Sequence, residues 1–348
     1  TGGLGGTSDD ITRKILATVL KRQLILREDL LATMRERFSR VGRPAPANLE
    51  AQALIPFGAE LIPNEVGLAP GLRLRAGERR VLYALPGVPA EMEAMAERAV
   101  LPEIASMAPA ALFVERSLRT CGIPETVLAE KIEPLLPPGV RVAYLPHAGT
   151  VELRVSAEGD PAEVEPYLDR LTAVAKERIG PAVYCEGEIT LEEAVGRSLL
   201  ARSWRLAVAE SLTGGGVGAR LVRVPGASRY FLGDVVAYDN AAKVRLLGVP
   251  ESTLAEHGAV SARAAEAMAA GVRERLGGEI GVSTTGIAGP EGGSAGKPVG
   301  LVYFGLSWEG AQTSLRRMMP GSRELVIERS ILTALDLVRR VASGVAIE

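Results

Sequence analysis

Ser211 lies between a short apolar run, Leu206 to Ala209, and three consecutive glycines, in Ala209-Glu210-Ser211-Leu212-Thr213-Gly214-Gly215-Gly216. A hydroxyl there has the surroundings of a nucleophile. The glycines let a ligand approach the backbone, and amides at the start of the helix that follows suit an anion. A serine also needs a base. The chain has two histidines, His147 in a turn and His257 in the loop Glu256-His257-Gly258. A Ser-His-Asp triad would have to use His257, and no acid is clearly placed to complete it. Lysine serves as a base when burial keeps part of it neutral. After residue 190 the chain holds only Lys243 and Lys297. Lys243 follows Tyr238-Asp239-Asn240-Ala241-Ala242 and falls early on an expected short helix. From the residues alone it also reads as a solvated helix lysine, and Tyr238 as half-buried packing.

A third glycine-rich loop, Ser283-Thr284-Thr285-Gly286 to Gly293, offers amides from Gly286 onward to an oxyanion or phosphate. Arg323 and Arg329 belong to a type suited to bidentate phosphate contact. Gly214, Gly216, Ala219 and Asp234 also fit a dinucleotide fingerprint. Its context is poor, because Glu210 to Thr213 separates the strand from the first glycine.

The elements that must position these groups are strands over 205–209, 233–238, 279–284 and 299–307. Helices are expected over 214–224, 240–247, 261–276 and 322–342. Alternation of strand and helix predicts an α/β domain. Its parallel strands would bring Ser211, Tyr238 and Thr285 to one edge. Val260, Ala264, Met268 and Val272 keep helical spacing and mark core. Thr190 and Glu193 form a capping box that opens the domain.

Upstream, residues 110–188 read as a small α+β unit with Val151, Leu153 and Val155 on one strand face. Residues 1–109 open on TGGLGGTSDDIT. Thr7 is expected to cap a helix over 8–19, with Asp10 in a box-like position. Asp9 and Asp10 either favour the helix dipole or face a hard cation. Glu91 lies early in an expected helix over 90–100. The chain starts inside a strand-to-helix turn without a methionine, so we expect this domain to be N-terminally incomplete.

The bulk properties agree. A chain of 348 residues suggests two or three domains. A net charge of −2 marks no nucleic-acid or membrane partner. Cys121 and Cys185 give no disulfide framework and fit a reducing, cytoplasmic setting. Apolar runs are too short to span a bilayer, and no signal peptide is visible.

Six motifs occur in order over about 115 residues: AESLTGG (209–215), VPGASRYFLG (224–233), VVAYDNAAK (235–243), HGAVS (257–261), TTGIAGPEGGSAGKPVG (284–300) and PGSRE (320–324). Together they resemble the CinA family, and the last domain (189–348) resembles nicotinamide mononucleotide deamidases. The resemblance implies hydrolysis of the carboxamide to nicotinate mononucleotide and ammonia, without a cofactor. It puts the nucleophile at Ser211, the base at Lys243, and active-site partners at Tyr238 and Thr285. Thr213, Gly214, Gly215, Gly216, Asn240, Gly286, Gly289, Arg323 and Arg329 would surround the substrate. TGGLGGTSDD, GLAPG (67–71) and LPGVPAEM (85–92) resemble the family's molybdopterin-binding-like domain. That domain is associated with metal-dependent ADP-ribose pyrophosphatase activity, which would set Asp9, Asp10 and Glu91 around a divalent metal. The middle region resembles the family's KH-type domain without an evident Gly-x-x-Gly clamp. It reads as a spacer or dimerisation module, with a homodimer expected and no nucleic acid. The other reading is a nucleotide-binding or scaffold protein with degenerate enzyme sites.

Overall fold

The computed structural model describes residues 1–46, 48–77, 80–107 and 113–347. The chain divides into two compact units, Thr1–Ala111 and Leu112–Glu348.

In the first unit, Leu24–Leu26 pairs with Leu54–Pro56, and Glu60–Ile62, Gly71–Arg75 and Val81–Ala84 form a three-stranded antiparallel sheet. Leu4, Ile55, Leu72 and Leu74 fill its core. The first helix is Thr12–Val19, not 8–19, and Thr7 does not cap it. Instead the Thr7 N–H and hydroxyl both donate to the Asp10 carboxylate, at 2.9 and 2.5 Å. This local bond closes a turn and delays the helix. The helix expected over 90–100 runs as Pro89–Met95, a π turn Ala96–Val100, then Leu101–Met107.

The second unit begins with a four-stranded antiparallel sheet, in the order Val140–His147, Thr150–Glu158, Phe113–Cys121, Val183–Glu186. Val151, Leu153 and Val155 are buried together, as the alternation predicts. They pack against helices Glu125–Ile132 and Pro161–Ile179. The first of these helices stops at Ile132 and tightens into a 3₁₀ turn at Glu133–Leu135, where Pro134 lacks the N–H needed to continue.

The rest of this unit is a five-stranded mixed sheet. Its strands are β1 (Leu206–Glu210), β2 (Phe231–Val236), β3 (Ile280–Gly286), β4 (Leu301–Trp308) and β5 (Ala311–Met318), in the order β2-β1-β3-β4-β5. β1 is parallel to both β2 and β3, and β4 and β5 return antiparallel. Six helices accompany it: α1 (Leu191–Ala201), α2 (Gly216–Leu221), α3 (Asn240–Leu247), α4 (Glu251–His257), α5 (Ala262–Leu276) and α6 (Arg323–Ala342). Thr190 and Glu193 make the expected capping box at α1. β5 and α4 were not expected. β5 is a polar edge strand with one buried residue, Leu315, and α4 buries none, so neither carries a period in its apolar residues.

The sequence Leu206-Ala207-Val208-Ala209 explains the layering. Leu206 and Val208 point to one face with α1, α2 and α6, and Ala207 and Ala209 point to the other with Met268 and Val272 of α5. The α5 face is lined by small residues because α5 lies very close. A Cβ on Gly305 would fall 2.1 Å from the Ala265 carbonyl oxygen. Gly305→Ala is therefore expected to destabilise this unit by about 2–3 kcal/mol. Urea unfolding followed by tryptophan fluorescence checks this, since both tryptophans, Trp204 and Trp308, sit here. Among the described residues no helix is long and apolar enough to cross a membrane.

Candidate active site

The parallel strands β1, β2 and β3 end at one edge, and the sequence places a hydroxyl, a tyrosine and a threonine there. Ser211 follows β1, and its N–H donates to the Thr284 carbonyl of β3 at 3.0 Å, which fixes the serine against the neighbouring strand. Past β2 the chain reaches Tyr238 and turns into α3, where Asp239 caps the helix by accepting from the Ala241 N–H at 2.8 Å. The cap sets the phase of the first turn and directs Lys243 inward. Lys243 is 2% exposed, although α3 itself is short and mostly exposed.

The Lys243 Nζ donates to Ser211 Oγ at 3.2 Å and to the Tyr238 carbonyl at 3.0 Å. Burial holds its pKa below the usual lysine value of 10.5, with Asp239 opposing the shift. The other lysine of the domain is excluded from this role by its contacts, since Lys297 Nζ donates to the His257 carbonyl at 2.7 Å. The dyad is thus a buried amine against a nearly buried hydroxyl, Ser211 being 8% exposed. Such a pair can deprotonate the hydroxyl and return the proton to a leaving group.

The other expected site residues divide. Thr213 is buried and its hydroxyl shares a 2.7 Å hydrogen bond with that of Thr284. Tyr238 is 62% exposed, and its hydroxyl accepts from Arg323 Nη2 at 3.2 Å. Arg323 also donates to the Gly289 carbonyl at 2.7 Å, so Arg323, Tyr238 and Gly289 form one linked rim. Asn240 opens α3, and Gly286 ends β3.

One expectation needs correction. The amides of Gly214, Gly215 and Gly216 are not available to an anion. They donate to the Ser211 carbonyl, Glu210 Oε2 and the Thr213 carbonyl, at 3.2, 3.0 and 3.0 Å. Gly214 and Gly215 have φ of 61° and 96°, so their role is to turn the chain where other residues would be strained. The Leu212 and Thr213 N–H groups have no acceptor among the described residues. In the third loop, the Ile287 amide is taken by the Leu301 carbonyl at 2.9 Å. The Thr285 hydroxyl donates to the Ala259 carbonyl at 2.8 Å and braces the loop before α5. Arg329 is drawn to the Pro320 carbonyl and makes no bond to the Ser211 centre.

In the first unit, Asp10 and Glu91 line one cavity of about 460 Å³ with Gly2, Gly3 and Gly5, and Asp9 is not among its lining residues. Glu91 accepts from Asn64 Nδ2 at 2.6 Å. Buried Arg13 fills the underside of the glycine turn by donating to the Leu4 and Gly5 carbonyls. Among the described residues no three His, Cys, Asp or Glu side chains come together to hold a metal ion. As arranged, Asp9, Asp10 and Glu91 do not fit a divalent cation.

Sequence reasoning missed Glu210, which is fully buried, and weighed Asp234, which faces it, only as part of a dinucleotide fingerprint. The available signal was an acid within each of two otherwise apolar strands, last in β1 and fourth of six in β2.

Three domain families match the chain in order: a "probable molybdopterin binding domain" over residues 1–106, the "damage-inducible protein CinA KH domain" over 115–185, and the "CinA C-terminal domain" over 188–342. A CinA-like protein of Dictyoglomus thermophilum is 41% identical over 343 residues, covering 98% of this chain and 83% of that one. One from Salinibacter ruber is 42% identical over 346 residues, covering 99% and 84%. Among solved structures, the competence damage-inducible protein A of Klebsiella pneumoniae is 35% identical, over 43% of this chain and 93% of its own, with a TM-score of 0.42. With its three domains matched in sequence and relatives aligned over almost its whole length, this chain belongs to the CinA family.

Proposed function

We propose that the protein is an amidohydrolase that works through an acyl-Ser211 intermediate, and that its substrate is nicotinamide mononucleotide. The observation that carries this reading is the buried Lys243 amine 3.2 Å from Ser211 Oγ. Neutral Lys243 takes the serine proton as Oγ attacks the carboxamide carbon. The pyridinium ring withdraws electrons and makes that carbon more electrophilic. The Leu212 and Thr213 N–H groups, next to the nucleophile and without acceptors, stabilise the oxyanion, each contributing about 3 kcal/mol. The protonated lysine then gives its proton to the departing amine as the C–N bond breaks. Water attacks the acyl ester, again with Lys243 as base, and releases nicotinate mononucleotide. Arg323, already held by Tyr238 and Gly289, supplies a fixed positive charge for the phosphate.

Hydroxylamine tests the covalent step. An acyl-enzyme is expected to divide between water and hydroxylamine, so the hydroxamate of nicotinate mononucleotide forms in proportion to hydroxylamine while ammonia release does not slow. Carboxylate as the sole product at every hydroxylamine concentration would contradict acylation of Ser211.

A further inference from the structure

Behind the Ser211 loop lies a second polar assembly that the chemistry above does not use. Glu210, the last residue of β1, is fully buried. Its Oε2 accepts from the Gly215 N–H at 3.0 Å and its Oε1 from the Gly218 N–H at 3.0 Å. One carboxylate therefore ties both the loop and the first turn of α2 to the residue adjacent to the nucleophile.

Asp234 comes from the neighbouring strand. On β2, Gly233 lies towards Leu276 of α5, so alternation sends Asp234 to the opposite face, under α2. There a Cβ on Gly218 would fall 2.7 Å from Asp234 Oδ2. Asp234 Oδ1 is buried and has no hydrogen-bond partner. Two carboxyl groups in contact without a counter-ion do not both ionise. The groups around them supply none. β1 presents Glu210, and α2 presents the Gly218 N–H. Arg220 of α2 is engaged by Glu192 and Glu328. No ion pair joins Asp234 to Arg229 of the turn before β2, to Arg273 or Arg275 of α5, or to any other cation among the described residues.

We propose that Glu210 and Asp234 share a single proton and act as a positioning pair that holds the Ser211 loop in register with Lys243. Both oxygens of Glu210 accept amide N–H bonds, which an ionised carboxylate does best, so the proton belongs on Asp234, which donates it to Glu210. Burial and the facing Glu210 push Asp234 up to about 9. The folded chain keeps a proton that the unfolded chain loses near 3.8, so the pair's stabilisation is full below that value and is lost as pH rises through about 9. Above it, two like charges meet under the loop and Ser211 loses its fixed geometry. This use of the pair in catalysis rests on the amidohydrolase reading.

The experiment is a pair of pH profiles from 7 to 10.5, one of kcat/KM for ammonia release from nicotinamide mononucleotide and one of Tm. The proteins compared are wild type, Asp234→Asn and Glu210→Gln, each full length. Wild type is expected to lose Tm steadily from pH 7 to about 9 and to level off beyond it, and to lose activity as pH rises through about 9. Asparagine keeps a donor to Glu210 but cannot ionise, so Asp234→Asn should keep at least its own pH 7.5 activity to pH 10, where wild type has fallen about tenfold from its maximum. Glu210→Gln, left with one acceptor oxygen for two amides, is expected to lower kcat more than tenfold with a smaller change in KM. If Glu210→Gln does not fold, the Asp234→Asn profiles decide. Identical alkaline limbs in wild type and Asp234→Asn, in both readouts, would overturn the pair. If wild type releases no ammonia, the amidohydrolase reading fails and the Tm profiles alone decide the pair.

Discussion

Ser211→Ala is expected to lower ammonia release from nicotinamide mononucleotide by about 10⁴-fold or more. The loss should lie in kcat, because the oxygen removed is the one that forms the acyl bond. Stability is expected to change by less than about 1 kcal/mol. The reason is local. Ser211 is held by its backbone N–H to Thr284, which alanine retains, and Lys243 keeps its bond to the Tyr238 carbonyl. A large loss of activity at unchanged Tm separates a missing nucleophile from a collapsed loop. Rate assays together with thermal unfolding check both halves.

Lys243→Met has the second largest effect, an expected loss of about 10³–10⁴-fold in kcat. Methionine matches the length of the lysine stem, so the site stays filled. Removing a buried amine also removes the cost of desolvating it, and Tm is expected to hold or rise. In wild type the activity should rise with pH as Lys243 gives up its proton, with a midpoint below 10.5 because burial lowers the lysine pKa. The sign is opposite to that of Asp234, whose ionisation removes activity on the alkaline side. The profile should therefore be bell-shaped, and the acid limb should vanish from the residual activity of Lys243→Met. An unchanged acid limb in that variant would assign the base to another group.

Much of this was legible in the chain, and each part that was not has its own physical cause. The parallel strand ends could be read because Leu206 to Ala209 is an apolar run that stops at a polar residue, and such ends gather at one edge of a sheet. Lysine scarcity then left two candidates, and Lys297 is occupied by a backbone carbonyl. Val151, Leu153 and Val155 declared their strand by alternation. The glycine amides misled because a glycine run advertises free N–H groups, while its actual acceptor, Glu210, reads in sequence as the start of a polar loop. Only the fold shows that Glu210 is fully buried. The bond from the Thr285 hydroxyl to the Ala259 carbonyl could not be read because it joins residues 26 apart in the chain. Thr7 failed as a cap because Asp10 captured its donors locally, a competition that propensity does not rank. β5 escaped because an edge strand with a single buried residue has almost no apolar signature.

Carboxamide cleavage by Ser211 and Lys243 can be tested in a single assay. The most direct test incubates the full chain with nicotinamide mononucleotide and follows ammonia and nicotinate mononucleotide together, with Ser211→Ala in parallel. Wild type is expected to give equal amounts of the two products, and Ser211→Ala none above background. No ammonia from wild type, or as much from Ser211→Ala as from wild type, would contradict it.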